Sequence, residues 1–191
     1  MATVHVTVSR GQSGVRLPEG VVHRRDAPSI DGVATLARTA ADCARCLPEL
    51  DALVVVDAVL ARGVECDDVL RELTGRGARA ARAVVALADP GAGSSGETAA
   101  RLAIRRAGLS VESQVFIGGV GWVDLLVEGR LVVEIDGFAY HSDAKQFATD
   151  RRRDAALVGM GYLVLRFTWL DAVTRPAHVI AMIRAALAVH A

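Results

Sequence analysis

The stretch from Trp122 to His141 constrains the fold of this chain more than any other. It reads Trp-Val-Asp-Leu-Leu-Val-Glu-Gly-Arg-Leu-Val-Val-Glu-Ile-Asp-Gly-Phe-Ala-Tyr-His. Two short apolar runs flank Glu128-Gly129-Arg130, a pattern that predicts a β-hairpin closed by a tight turn. A three-residue loop centred on Gly129 sets Asp124 directly opposite Glu134. Glu134 and Asp136 are two residues apart and share one face of their strand. Three carboxylates then crowd one side of the hairpin, with Val133 and Ile135 on the other. Like charges at this spacing repel and cost stability unless something neutralises them. A divalent cation does so, and oxygen-only ligands suit Mg2+ or Mn2+. The alternative is a hairpin at a sheet edge whose acids face water.

The 191 residues allow one large domain or two small ones. Just over half of them are hydrophobic, enough for a substantial core. The apolar runs are too short or too interrupted by charge to span a membrane, and Met1 to His5 opens a strand pattern rather than a signal peptide. A cytoplasmic protein is expected. Formal net charge is zero, so contact with a nucleic acid must come from local patches. Lys145 is the only lysine, and it follows the acidic hairpin closely. Cys43-x-x-Cys46 has no second pair to make a zinc site, and with Cys66 these read as buried, reduced thiols.

Residues 1–90 read as a small α/β support or docking region. Val4 to Val8 and Val21 to His23 are strand patterns, and Gly32 to Ala34 is a third, shorter one. Helical periods follow from Thr35, from Leu50 to Ala61, from Asp67 (as cap) to Leu73, and from Arg79 to Ala88. Arg76, Arg79 and Arg82 recur every third residue, as a solvated helix face or as a basic face for phosphates. His5 and His23 have no acids nearby in sequence and read as surface or satisfied histidines.

Asp89-Pro-Gly-Ala-Gly-Ser-Ser-Gly96 is the clearest break in the chain. Beyond it, residues 94–191 predict one α/β domain. Ser94-x-x-Glu97 is a capping box that opens a helix to about Ala107. Three strands follow, at 111–117, 122–128 and 131–136. A helix from about Ala144 to Met160 comes next, with Asp143-x-x-Gln146 as a second capping box. A strand at 162–168 and a helix from Ala177 to Val189 close the chain. This αβββαβ order predicts an antiparallel meander whose fourth strand returns through a helical crossover, giving a mixed sheet flanked by helices. Trp122 and Trp169 read as core packing, with stacking on a base as the alternative for either.

Glu97, Asp124, Glu134-x-Asp136-Gly137, His141, Asp150-Arg151-Arg152-Arg153-Asp154 and Gly161-Tyr-Leu-Val-Leu-Arg166-Phe167 occur in one order. In that order, Ser94 to Ala188 resembles the restriction-endonuclease-like, or PD-(D/E)XK, superfamily. Within it, the segment is similar to an uncharacterised group of small bacterial proteins related to the very-short-patch mismatch-repair endonucleases. Residues 1–90 more weakly resemble the middle region that precedes this domain in high-GC actinobacterial relatives. Many of those begin with a winged-helix segment like that of abortive-infection antitoxins, and none precedes Val4 here.

The resemblance implies a Mg2+- or Mn2+-dependent DNA endonuclease, nicking or cutting in repair or defence. It implies that Asp124 is the metal-binding aspartate and Glu134 the second acid. Asp136 stands where the broader family carries a lysine and the repair branch a histidine, and it would bind a second metal or accept a proton. His141 stands at a second histidine of the repair branch, as a general acid or base. Glu97 matches an acid that helps hold a metal-bound water, and Asp150 one that orients the group at position 136. Lys145 or Arg151 would replace the missing lysine charge, and Lys145, Arg151, Arg152 and Arg153 would contact DNA phosphates. Many nucleases of this fold act as dimers, so the resemblance admits a homodimer. Two other readings stand beside it: an inactive nuclease fold that binds nucleic acid or a protein, and an antitoxin-like regulatory protein.

Overall fold

The computed structural model describes residues 4–18, 20–24, 29–30, 33–137 and 144–189, and the chain divides into two units, Met1–Ala88 and Asp89–Ala191. In the first, β1 (Val4–Val8) and β2 (Gly20–Arg24) pair in parallel, with Val6 beside Val22. β3 (Ser29–Ile30) and β4 (Val33–Ala34) form a short antiparallel pair. Two residues are too few to show a period, which is why β3 had no sequence signal.

Thr35 caps α1 (Leu36–Cys46), its hydroxyl accepting the Arg38 N–H. Pro48 is the N-cap of α2 (Glu49–Leu60), where its missing N–H leaves no helical bond unmade. α3 (Cys66–Glu72) and α4 (Ala78–Val85) complete the unit. The small residues Ala40, Ala41 and Ala44 let α1 pack closely on Val56, Val59 and Leu60 of α2, with Val69, Leu73 and Val85 closing the core. Arg38 is buried among them, bonded through Nε and Nη2 to Asp42 (3.0 and 2.9 Å) and through Nη1 to Glu72 (2.8 Å). Asp42 also accepts from the Thr7 hydroxyl at 3.2 Å and lies 4.0 Å from His23 Nδ1, so β1 and β2 are tied to α1 through one buried acid.

Three expectations change here. Asp67 does not cap α3; Glu65 holds that position without a side-chain bond, and Asp67 falls in the first turn, where an acid suits the positive helix end. The arginine triplet does not form one basic face. Arg76 precedes α4, while Arg82, itself exposed, donates to the carbonyls of Leu70 and Leu73. All three thiols are free, but only Cys43 is buried, with its pKa pushed up to about 11 by that burial, and Cys46 is exposed.

The second unit starts with α5 (Ser95–Arg106) and the strands β5 (Val111–Ile117), β6 (Gly121–Val127) and β7 (Leu131–Asp136). α6 (Ala144–Gly159) leads to β8 (Leu163–Thr168), and α7 (Trp169–Thr174) and α8 (Pro176–Val189) follow. The strand order is β5-β6-β7-β8, with β5-β6 and β6-β7 antiparallel and β7-β8 parallel. This is the mixed αβββαβ sheet that the element order predicts. α7 had no separate signal; a capping box between Thr168 and Asp171 starts it at the end of β8.

One face of the sheet packs on α6. Leu126, Val132 and Val164 gather with Leu157 in one apolar cluster. On the other side Gly96 of α5 meets Ile135 and Trp169 so closely that a Cβ there would lie 2.7 Å from Ile135 Cγ2. Trp169 donates its indole N–H to Ser95 Oγ at 2.9 Å, a packing role as expected. Trp122 does not pack in the core: it is 61% exposed, and Phe116, 60% exposed, meets it edge to face at 5.4 Å.

Candidate active site

The hairpin turn is Glu128–Arg130, with Glu128 and Gly129 at φ 50° and 64° and the Arg130 N–H bonded to the Val127 carbonyl. That loop sets the register Val127↔Leu131, Leu126↔Val132, Leu125↔Val133. The next row brings Asp124 to Glu134. The ladder gives way there: the Ile135 N–H donates to Asp124 Oδ2 at 2.8 Å, a carboxylate in place of a strand carbonyl. The two carboxyl groups come close enough for each to feel the other's charge. Burial and the neighbouring Asp124 push the Glu134 carboxyl up to about 7, against the opposing pull of Arg153 and Arg166.

Simple periodicity explains which cations reach this pair. Glu134 is two residues beyond Val132 and so shares the face that packs on α6. Arg153 is one helical turn before Leu157, which packs there. Arg153 Nη2 therefore meets Glu134 Oε1 at 3.0 Å and also reaches the Trp122 carbonyl. The parallel register sets Arg166 beside Glu134 and Thr168 beside Asp136. Arg166 bonds Asp154 Oδ1 at 2.8 Å and lies 3.8 Å from Asp136 Oδ1.

The structure thus brings together two of the three hairpin acids expected to hold metal. Asp136, at the strand end, pairs with Arg166. Among the described residues no group of three or more His, Cys, Asp or Glu side chains is assembled for a metal ion. A buried and a half-buried carboxyl that repel each other still fit a small hard cation, which completes its shell with water.

Glu97 is buried, but it makes only half of the expected capping box. Ser94 Oγ accepts the Glu97 N–H at 3.2 Å, whereas the Glu97 carboxylate takes the Gly93 N–H and Gln114 Nε2, each at 2.9 Å, and not the Ser94 N–H. Gln114 stands between the pairs Ser113↔Leu125 and Val115↔Val123, across from Asp124, with φ at 49°. A non-glycine residue in the left-handed region costs energy, and such strain gathers at working sites. Glu97 is therefore tied to Gln114 of β5, the residue across from Asp124 in the register.

Arg151 and Arg152 are exposed on α6. His141 and the capping box at Asp143 and Gln146 lie outside the described residues or side chains, as do the side chains of Lys145 and Asp150. Among the described side chains, the cations beside the carboxylates are Arg153 and Arg166; Arg151, one of the two expected there, is exposed, and the other, Lys145, falls outside those side chains. Sequence reasoning missed Gln114, Asp154 and Arg166 as parts of the site. The parallel return of β8 was the signal for Arg166; Gln114 had none beyond a polar residue in mid-strand.

Residues 97–187 match the model of the restriction-endonuclease-like family REase_MTES_1575. The second unit is a restriction-endonuclease-like domain. The match begins at Glu97 and ends in α8, so it takes in every acid and arginine of this site. No curated protein and no solved structure matches the chain. No helix among the described residues is long and apolar enough to cross a membrane.

Proposed function

We propose that the restriction-endonuclease-like domain is a Mg2+- or Mn2+-dependent DNA endonuclease that nicks or cuts in repair or defence, in the cytoplasm. The observation that carries this reading is the Asp124–Glu134 pair, brought opposite each other by the hairpin register, with the Glu134 carboxyl pushed up to about 7 by burial and by Asp124. Such a pair carries a charge that a bound cation would relieve. Phosphodiester hydrolysis needs an activated water, a neutralised scissile phosphate and help for the leaving oxygen. A divalent ion between Asp124 and Glu134 would acidify the water and polarise the phosphoryl oxygen.

The chain's own groups supply the rest. Arg153 holds the Glu134 carboxylate in place, and Glu97 steadies Gln114 beside Asp124. Arg166 keeps Asp154 and Asp136 oriented at the sheet end. Arg151 and Arg152 face solvent, where flanking phosphates would meet them. Lys145 and Asp150, on the same helix, take the phosphate-contacting and orienting roles that the family resemblance gives them. His141 takes the acid–base role, since an unperturbed imidazole titrates near neutrality. The exposed Trp122–Phe116 pair offers a surface for an unstacked base.

A second reading has one observation in its favour. Arg153 already neutralises Glu134, and Asp136 stands where the family motif has lysine, as in a nuclease fold that binds DNA without cutting it. Supercoiled plasmid incubated with Mg2+ or Mn2+ separates the two. Nicking by the wild type, abolished in Asp124→Asn and Glu134→Gln, is expected. Retarded but uncut plasmid with both metals would reject the endonuclease.

A further inference from the structure

Arg153 stands where the hairpin opens. The β6–β7 ladder runs from Val127↔Leu131 to Leu125↔Val133, and beyond it the Arg153 guanidinium spans the two strands. Its Nη2 donates to the Trp122 carbonyl on β6 and to Glu134 Oε1 on β7, the latter at 3.0 Å. Its Nε is buried and has no hydrogen-bond partner.

One nitrogen therefore serves both acceptors, and the edge of the guanidinium that carries Nε is unused. That is a poor pose for an arginine, whose paired N–H groups match two oxygens of one anion at once. A buried donor left unmade costs free energy. What holds the pose is charge, because Glu134 is buried and its ionised form needs a cation. A divalent ion on Asp124 and Glu134 would by itself balance both carboxylates, making the guanidinium surplus and repelling it. Arg153 has somewhere to go. Its side chain is 28% exposed, and Arg151 and Arg152, just before it on α6, face solvent. A backbone phosphate brought to that face offers two oxygens to the fork, Nε included. Arg166 is committed elsewhere, shared between Asp154 and Asp136.

We infer that Arg153 couples DNA binding to metal binding: it covers Glu134 while DNA is absent and passes to a backbone phosphate when DNA binds, which opens Glu134 to the divalent ion. This rests on the reading of the Asp124–Glu134 pair as a cation site that works on DNA, and adds to it how the two ligands depend on each other. By linkage, DNA tightens the ion and the ion tightens DNA by the same factor.

The full chain tests this with Arg153→Met, which keeps an apolar stem and removes the charge, and Arg153→Lys, which keeps the charge. Circular dichroism checks that each is folded. In calorimetric titration with Mn2+ and no DNA, Arg153→Met should bind about tenfold more tightly than the wild type, the size of a screened repulsion over a few ångströms. Arg153→Lys should bind like the wild type. A merely structural role for Arg153 would weaken Mn2+ binding or leave it unchanged. Anisotropy titrations of a labelled DNA duplex, in EDTA and in saturating Mn2+, read the coupling. Mn2+ should tighten wild-type binding about tenfold and Arg153→Met binding by less than about threefold. The inference is overturned if Arg153→Met binds Mn2+ no more tightly than the wild type, or if the duplex does not bind. It is also overturned if Mn2+ favours DNA equally in both proteins, as direct contact between ion and phosphate would give. The recovered duplex, sized on a denaturing gel, reads cutting separately. Coupling with uncut strands sinks the endonuclease reading alone, and cut strands without coupling sink this inference alone.

Discussion

Glu134→Gln gives the most direct test of the electrostatics of the hairpin pair. In the folded chain the Glu134 carboxyl is raised from an ordinary 4.5 to about 7. A raised carboxyl stabilises the fold fully below the unfolded value and loses that contribution as pH rises through the folded value. Without divalent ions, stability should therefore fall between about pH 4.5 and pH 7 and then level off. At about 1.4 kcal/mol per pH unit, that interval is worth about 3 kcal/mol. With a urea dependence of about 1–3 kcal/mol per molar, the unfolding midpoint should drop by about 1–3 M. Both tryptophans lie in the second unit, so intrinsic fluorescence follows the unfolding of that unit alone. Glutamine keeps the shape and removes the titration, so the variant should lack this fall and be the more stable protein at pH 8. Added Mg2+ should restore the wild type at pH 8 and leave the variant unmoved. Equal pH profiles for the two proteins would refute the account of the pair.

Arg153→Ala removes the guanidinium that opposes the rise in Glu134, so the midpoint of the same fall should move to higher pH, read by the same fluorescence titration. Gly96→Ala places a methyl group 2.7 Å from Ile135 Cγ2 and 3.1 Å from Trp169 Cδ1. It should destabilise the second unit by about 1–3 kcal/mol in urea unfolding, as overpacking does. Trp122→Ala should leave stability nearly unchanged, because the ring is exposed, but weaken single-stranded oligonucleotide binding by about 1–3 kcal/mol in an anisotropy titration.

The domain's architecture was legible because short apolar runs are separated by Gly118-Gly119, Gly129 and Gly161, and Gly129 fixes the hairpin loop. That loop alone brought Asp124 to Glu134. The surrounding cations were less legible. Arg151, Arg152 and Arg153 look alike in the chain, and only the packing of Leu157 selects Arg153 to meet Glu134. Arg166 needed the register of a parallel pair, which is set by sheet twist and crossover length rather than by any nearby residue. Asp136 shares a face with Glu134 by count, yet Arg166, which stands beside Glu134 on β8, draws it into an ion pair of its own. Glu97 was read as a helix cap because its spacing from Ser94 permits one; Gln114, distant in sequence, competes for the same carboxylate. Trp122 was misjudged because large aromatic residues are commonly buried, and nothing local reveals that the sheet end beside it is open.

The bond from the Ile135 amide to the Asp124 carboxylate gives that aspartate two separate duties. One is to bear charge; the other is to close a gap that the two strands leave in their own ladder. An alanine at 124 would strip away both at once, orphaning a main-chain donor at a cost of about 1–3 kcal/mol. Its inactivity would then report a loosened hairpin as readily as a lost acid. Asparagine retains an oxygen for the amide and discards only the charge, so it is the replacement that speaks to chemistry rather than to architecture.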